Sequence, residues 1–158
     1  MVAVFNLRYQ EIYMKRISLI VVALLSLAAF NAHADVATAQ KLADKYTGIA
    51  KGIDKGFTPS AEDGKVFFNR QIGMKGHKVS CASCHTANPA DNGKHIITGK
   101  MIRPLAPAVN AKRFTDLEKV EDKFVEHCND ITGSDCTAQE KANFITYLIT
   151  VKDATPKK

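Results

Sequence analysis

The segment Cys81-Ala82-Ser83-Cys84-His85 restricts this chain more than any other feature. It has the pattern C-x-x-C-H, the attachment signal of c-type haem. Two thiols three positions apart can add to the two vinyl groups along one edge of the macrocycle. The adjacent histidine is then held under the ring, where its imidazole ligates iron. Covalent links of this kind keep the cofactor in place even in a small domain with a modest core. Two rival uses of such a pair are disfavoured. A thioredoxin-like motif needs a βαβ setting, and no convincing strand pattern is present. Structural zinc needs four ligands at suitable spacing, and no second close pair exists. The motif occurs once, so the expectation is one covalently bound haem c, attached at Cys81 and Cys84, with His85 as the proximal iron ligand.

The N-terminus agrees with that chemistry, because c-type haem is attached outside the cytoplasm. Lys15 and Arg16 precede an apolar run from Ile17 to Phe30, and Ala32-His33-Ala34 follows. This is the order of a secretory signal peptide, and the run is shorter than the ~20 residues of a membrane span. We expect residues 14–34 to be a signal peptide cut after Ala34 and residues 35–158 to be a single periplasmic monohaem domain with no membrane segment. Met14 directly precedes Lys15, so residues 1–13 read as an upstream, non-native start. Removing residues 1–34 leaves 19 basic and 15 acidic residues, a net charge of +4. The charges are spread along the chain, and the footprint of a nucleic-acid-binding protein is missing. A weakly basic face of this kind can steer an acidic partner; we expect a monomer with an unidentified redox partner protein.

Hydrophobic periodicity predicts helices over residues 36–51, around Leu42, Tyr46 and Ile49, and over residues 61–71, around Val66, Phe67 and Phe68. Residues 86–114 hold several Pro and Gly with little periodicity and read as a long irregular stretch, a length that is often functional. Thr115-Asp116-Leu117-Glu118 and Thr137-Ala138-Gln139-Glu140 both have the capping-box pattern. The first opens a helix with Leu117, Val120, Phe124 and Cys128 on one stripe and His127 at its edge. The second opens a helix with Phe144, Tyr147, Leu148 and Val151 on one face. The tail from Asp153 to Lys158 reads as frayed. The domain is therefore expected to be all-α.

The second axial position decides what a haem protein does. Met74, Met101, His77, His95 and His127 are candidates for it, with Asn129 as an outsider. Met101 lies sixteen residues after His85, a short span for a chain that must wrap the ring. His127 lies forty-two residues after His85, enough to cross the haem edge and return. Spacing favours His127 without excluding the others. In an exported protein the remaining Cys128 and Cys136 would pair. Arg103, Arg113 and Lys100 are candidate partners of the haem propionates, and the carbonyl of Pro104 or Pro107 is a candidate acceptor for the His85 Nδ1 proton.

The stretches 81–100 (CASCHTANPADNGKHIITGK), 103–122 (RPLAPAVNAKRFTDLEKVED), 127–136 (HCNDITGSDC) and 140–148 (EKANFITYL), with KYTGIA at 45–50 and DGKVFFNR at 63–70, cover most of the residues after 34. In these stretches the chain resembles the cytochrome c'' family and its high-spin, oxygen-binding relative SHP. The resemblance implies a class I-like, all-α cytochrome c fold with an added N-terminal helix. It implies two histidine ligands in the oxidised state, with His127 as the distal one, its release and proton uptake on reduction, and a Cys128–Cys136 disulfide. The oxygen-binding relatives carry Asn at the distal position, so His127 favours the bis-histidine branch. A freed imidazole has an ordinary pKa near 6.5, and the carbonyl end of its helix is expected to favour the charged form. The vacated position also admits a small diatomic gas, O2 or NO. Nothing resembles a catalytic acid–base pair or a nucleophile, so an electron-transfer protein is expected rather than an enzyme.

Overall fold

The computed structural model describes residues 36–74 and 77–156. Residues 1–34, with the expected upstream start and signal peptide, lie outside the described residues. Helix α1 runs over residues 36–53 and buries Ala39, Leu42, Ala43, Tyr46 and Ala50, a stripe at helical spacing. Ile49, expected inward, is half exposed.

Helix α2 (Ala61–Asn69) begins where the Ser60 side chain accepts the Asp63 amide, and its first turn carries Glu62 and Asp63. Both features favour the start of a helix. Phe68 is fully buried while Val66 points to water. Two short strands, β1 (Ile72–Met74) and β2 (His77–Val79), pair antiparallel with Ile72 opposite Val79. Helix α3 (Cys81–His85) follows at once. Strands β3 (Gly93–Lys94) and β4 (Met101–Ile102) form a second antiparallel pair.

Helix α4 (Leu117–Thr132) is capped by Asp116, whose side chain accepts the Lys119 amide. The cap is thus Asp116 rather than Thr115, whose hydroxyl bonds the Lys112 carbonyl instead. The helix stops at Gly133, with φ near +79°, a conformation glycine adopts without a Cβ penalty. Helix α5 (Ala138–Thr150) opens with the expected capping box between Thr137 and Glu140.

The architecture is the expected helical one. The two small ladders were missed because strands of two or three residues carry no readable alternation. The core gathers side chains of α1, α2, α4 and α5. Phe68 meets Tyr147 at 5.7 Å between ring centroids, Phe124 meets Phe144 at 5.8 Å, and Tyr46 meets Phe124 edge to face at 5.9 Å. The tail is not frayed where it is described. Thr155 bonds Asp91 through its amide (2.8 Å) and hydroxyl (2.6 Å), and Asn88 Nδ2 donates to the Asp153 carbonyl at 3.0 Å. Among the described residues no helix is long and apolar enough to cross a membrane.

Cys128 on α4 and Cys136 before α5 are joined by a disulfide, with Cα atoms 5.5 Å apart. They are eight positions apart in sequence, and closing so short a loop in the unfolded chain is worth about 2–3 kcal/mol. The Cys128→Ser/Cys136→Ser protein is expected to lose that much stability in urea unfolding. An unchanged midpoint would mean that the α4–α5 turn is equally ordered without the bond.

Candidate functional site

Helix α3 carries the attachment motif. Its start is shaped locally, with Ser83 Oγ accepting the Ser80 amide at 3.0 Å. Cys81 and Cys84 are the free cysteines, both half-buried and one helical turn apart. Burial raises the Cys81 pKa, so the thiol stays protonated. Thr86 then takes φ near +62°, a left-handed conformation costly for a β-branched residue, and its hydroxyl bonds the Asn88 carbonyl at 2.8 Å. The chain therefore reverses directly after His85.

Burial, helped by the charges of Arg113 and His127, pulls the His85 pKa down to about 4. Its imidazole is neutral at physiological pH, the form that binds a metal. His127 lies on α4, five residues before the helix end, and is solvent-exposed. Partial desolvation lowers its pKa, Lys123 and His95 act in the same direction, and Glu126 and Asp130 oppose them. The expected gain from the helix carbonyls is therefore outweighed, and the charged form is disfavoured.

Tertiary packing thus brings His85, His127 and His95 into one neighbourhood. His95 is otherwise engaged, since its Nδ1 accepts the amides of Ile97 and Thr98, both at 3.2 Å. Met101 is 70% exposed on β4, where it pairs with Lys94. Asn129 Nδ2 bonds the Val125 carbonyl of its own helix at 2.8 Å. The side chains of Met74 and His77 lie outside the described residues.

One glycine shapes the site, and the sequence did not single out its role. A Cβ on Gly93 would overlap the Cys84 carbonyl oxygen and sit 3.0 Å from His85 Cα, so the β3–β4 hairpin seats directly on the attachment turn. A cavity of about 510 Å³ opens beside Ser83, lined by that hairpin from Lys94 to Gly99. Arg113 donates to the carbonyls of Arg103 (2.7 Å) and Pro104 (3.0 Å). Asn110 Nδ2 takes the Pro104 carbonyl as well, at 2.7 Å. The Pro104 oxygen is thus already committed to these donors, and Arg113 orders the irregular stretch. Lys100 and Arg103 remain exposed.

The donor set fits a covalently attached haem: two free thiols at the right spacing, a neutral half-buried imidazole beside them, and a second imidazole within electrostatic reach from another helix.

Residues 54–148 match a protein family described as a domain of unknown function, DUF1924. The chain is 58% identical over 125 residues to cytochrome c'' of Methylophilus methylotrophus, covering 77% of this chain and 87% of that one. The crystal structure of oxidised cytochrome c'' from the same organism superposes with a TM-score of 0.74 at 57% identity, over 77% of this chain and all of the other. The structure of oxidised SHP, an oxygen-binding cytochrome c, superposes with a TM-score of 0.62 at 36% identity, over 70% of this chain and 94% of SHP.

Proposed function

This chain belongs to the DUF1924 family and to the family of cytochrome c'' and SHP, monohaem c-type cytochromes with covalently bound haem c, and from that premise we propose that it is a periplasmic one-electron carrier with bis-histidine ligation when oxidised. When bound, haem would supply a reversible one-electron centre. Cys81 and Cys84 would hold it covalently, and the imidazoles of His85 and His127 would ligate its iron. The observation that carries this reading is the approach of His127, on α4, to His85, on α3, close enough for its charge to depress the other's pKa. Met101, exposed on β4, makes a poorer candidate. Export rests on the sequence pattern of residues 14–34.

In this reading His127 is given up on reduction. While it ligates, its donor nitrogen has no lone pair for a proton. Once free, it titrates as an imidazole. Because its pKa in this fold lies below the ordinary 6.5, proton uptake belongs to the acidic side of that value. Reduction is then favoured by acid, and the midpoint potential should rise as pH falls. The slope should approach about 59 mV per pH unit for one electron and one proton and flatten above about pH 7. Potentiometric titration between about pH 4 and pH 8 tests this, and a flat line removes the proton-coupled part of the proposal.

A second reading draws on SHP, which binds oxygen. The position left by His127 admits a small diatomic gas, and turnover of O2 or NO there is the alternative to electron transfer. Tight carbon monoxide or nitric oxide binding by the reduced protein, with slow exchange of electrons with carriers, would favour it.

A further inference from the structure

A group of charges sits where α1, α4 and α5 meet, away from the attachment turn. Glu121 lies on α4, six residues before His127. Its carboxylate accepts the Tyr46 hydroxyl and the Lys45 ammonium (2.7 Å), both from α1. Tyr46 is only 4% exposed, so its hydroxyl depends on that partner. Lys141 of α5 is 7% exposed. Its Nζ pairs with Asp135 at 3.1 Å and lies 5.5 Å from the Tyr46 ring centroid and 5.7 Å from that of Phe124. Burial tends to raise the Glu121 pKa, but the bonds from Lys45 and Tyr46 and the charges of Lys45 and Lys141 outweigh it and hold the carboxylate ionised. Burial, reinforced by Glu121, pushes the Tyr46 pKa far above its ordinary value, so the phenol remains a donor.

Apolar packing alone would dock α1 on α4, and buried charge is a costly way to gain stability. What directional bonds add is register. Glu121, Phe124 and Cys128 follow one another at i, i+3 and i+7 along α4. The first is bonded to α1, the second packs on Tyr46 and Phe144, and the third is bonded to Cys136. Lys141 ties the same region to Asp135, the residue before Cys136. His127 stands beside this stripe. Each residue of slip turns a helix by 100° and moves it 1.5 Å, which would carry His127 away from His85.

We propose that Tyr46 and Glu121 are positioning residues that hold α4 in the register at which His127 reaches the iron, and so set how readily that histidine is released. The proposal rests on His127 being the distal ligand. Loosening the clamp favours the released form in either oxidation state.

The test uses the holoprotein. Tyr46→Phe keeps the ring and removes the donor. Glu121→Gln keeps an acceptor and removes the charge. Both are expected to shift the ratio of bound to released His127 on the order of tenfold towards release, raising the midpoint potential by up to about 59 mV, the limit reached while most of the oxidised protein keeps His127 bound and most of the reduced protein has released it. The oxidised optical and magnetic spectra should gain a high-spin component. In a His127→Ala background the potential shift should vanish. If Tyr46→Phe does not fold, Glu121→Gln and the milder Lys45→Met carry the test. A lower Tm with unchanged potential and spin state would make the clamp merely structural and overturn the proposal. A shift of the same size in the His127→Ala background would overturn it too. A low-spin oxidised spectrum that survives His127→Ala would instead sink the ligand reading itself, and the clamp with it.

Discussion

The His127→Ala protein is expected to lose the low-spin spectrum of the oxidised state almost completely and become high-spin at every pH. Nothing else on α4 is placed to substitute, since Asn129 is bonded to its own helix. His95 has its Nδ1 engaged by two amides, and Met101 is exposed on β4. The substitution should leave the fold intact. His127 is exposed, its neighbours Phe124 and Cys128 keep their packing and disulfide, and Ala is the better helix former. The acid-linked rise in potential should disappear along with the ligand, because the titrating imidazole is gone. Optical and magnetic spectra of the oxidised protein decide the matter directly, and Tm serves as the control for folding. A surviving low-spin spectrum would move the distal position to another side chain.

Gly64→Ala should be the most damaging single methyl that can be added to the described core. In an open helix such a change stabilises by roughly 0.5–1 kcal/mol. Gly64 is different because its α-carbon lies against the backbone of α5. A Cβ there would overlap the Asn143 carbonyl and approach the Tyr147 Cβ to 2.8 Å. The same contact is fastened by the Ser60 amide, which donates to Asn143 Oδ1 at 2.8 Å, and by Arg70, which pairs with Glu140 at 3.0 Å. Neither helix can retreat without opening the space around Phe68 and Tyr147. The net change should therefore reverse sign and cost about 3 kcal/mol, or roughly 4–8 °C of Tm for each kcal/mol in a domain near 100 residues. Urea unfolding of Gly64→Ala beside Gly48→Ala, a position with open space around it, separates the clash from the propensity effect. Equal behaviour of the two variants would show that the α2–α5 contact yields to an added methyl.

Much of this was legible before any coordinates. The four longer helices appear close to where periodicity placed them, and the Thr137 capping box stands as written. Their apolar stripes were less reliable: Ile49, Val66 and Leu117 share the spacing of core residues yet reach water. A stripe only says which residues can face inward, and the neighbouring helix decides which of them do. The irregular stretch concealed both a hairpin and a set of carbonyls gathered by Arg113. Such bonds join residues up to ten apart through one long side chain, which no local pattern encodes.

The attachment signal is five consecutive residues, because two thioether links and one ligand would all come from a single turn of chain. Helix starts and stops were equally local, since caps such as Ser60 and Gly133 answer needs of the backbone next to them. Distal choice among the histidines and methionines was not local. Spacing left several open, and only the folded chain shows that the charge of His127 acts on His85 while Met101 is exposed on β4; the choice of His127 stays a proposal. The same holds for the depressed pKa of His127 and for the charge group around Glu121. Both depend on which surfaces meet across tens of residues, and electrostatic energies follow distance and burial rather than order along the chain.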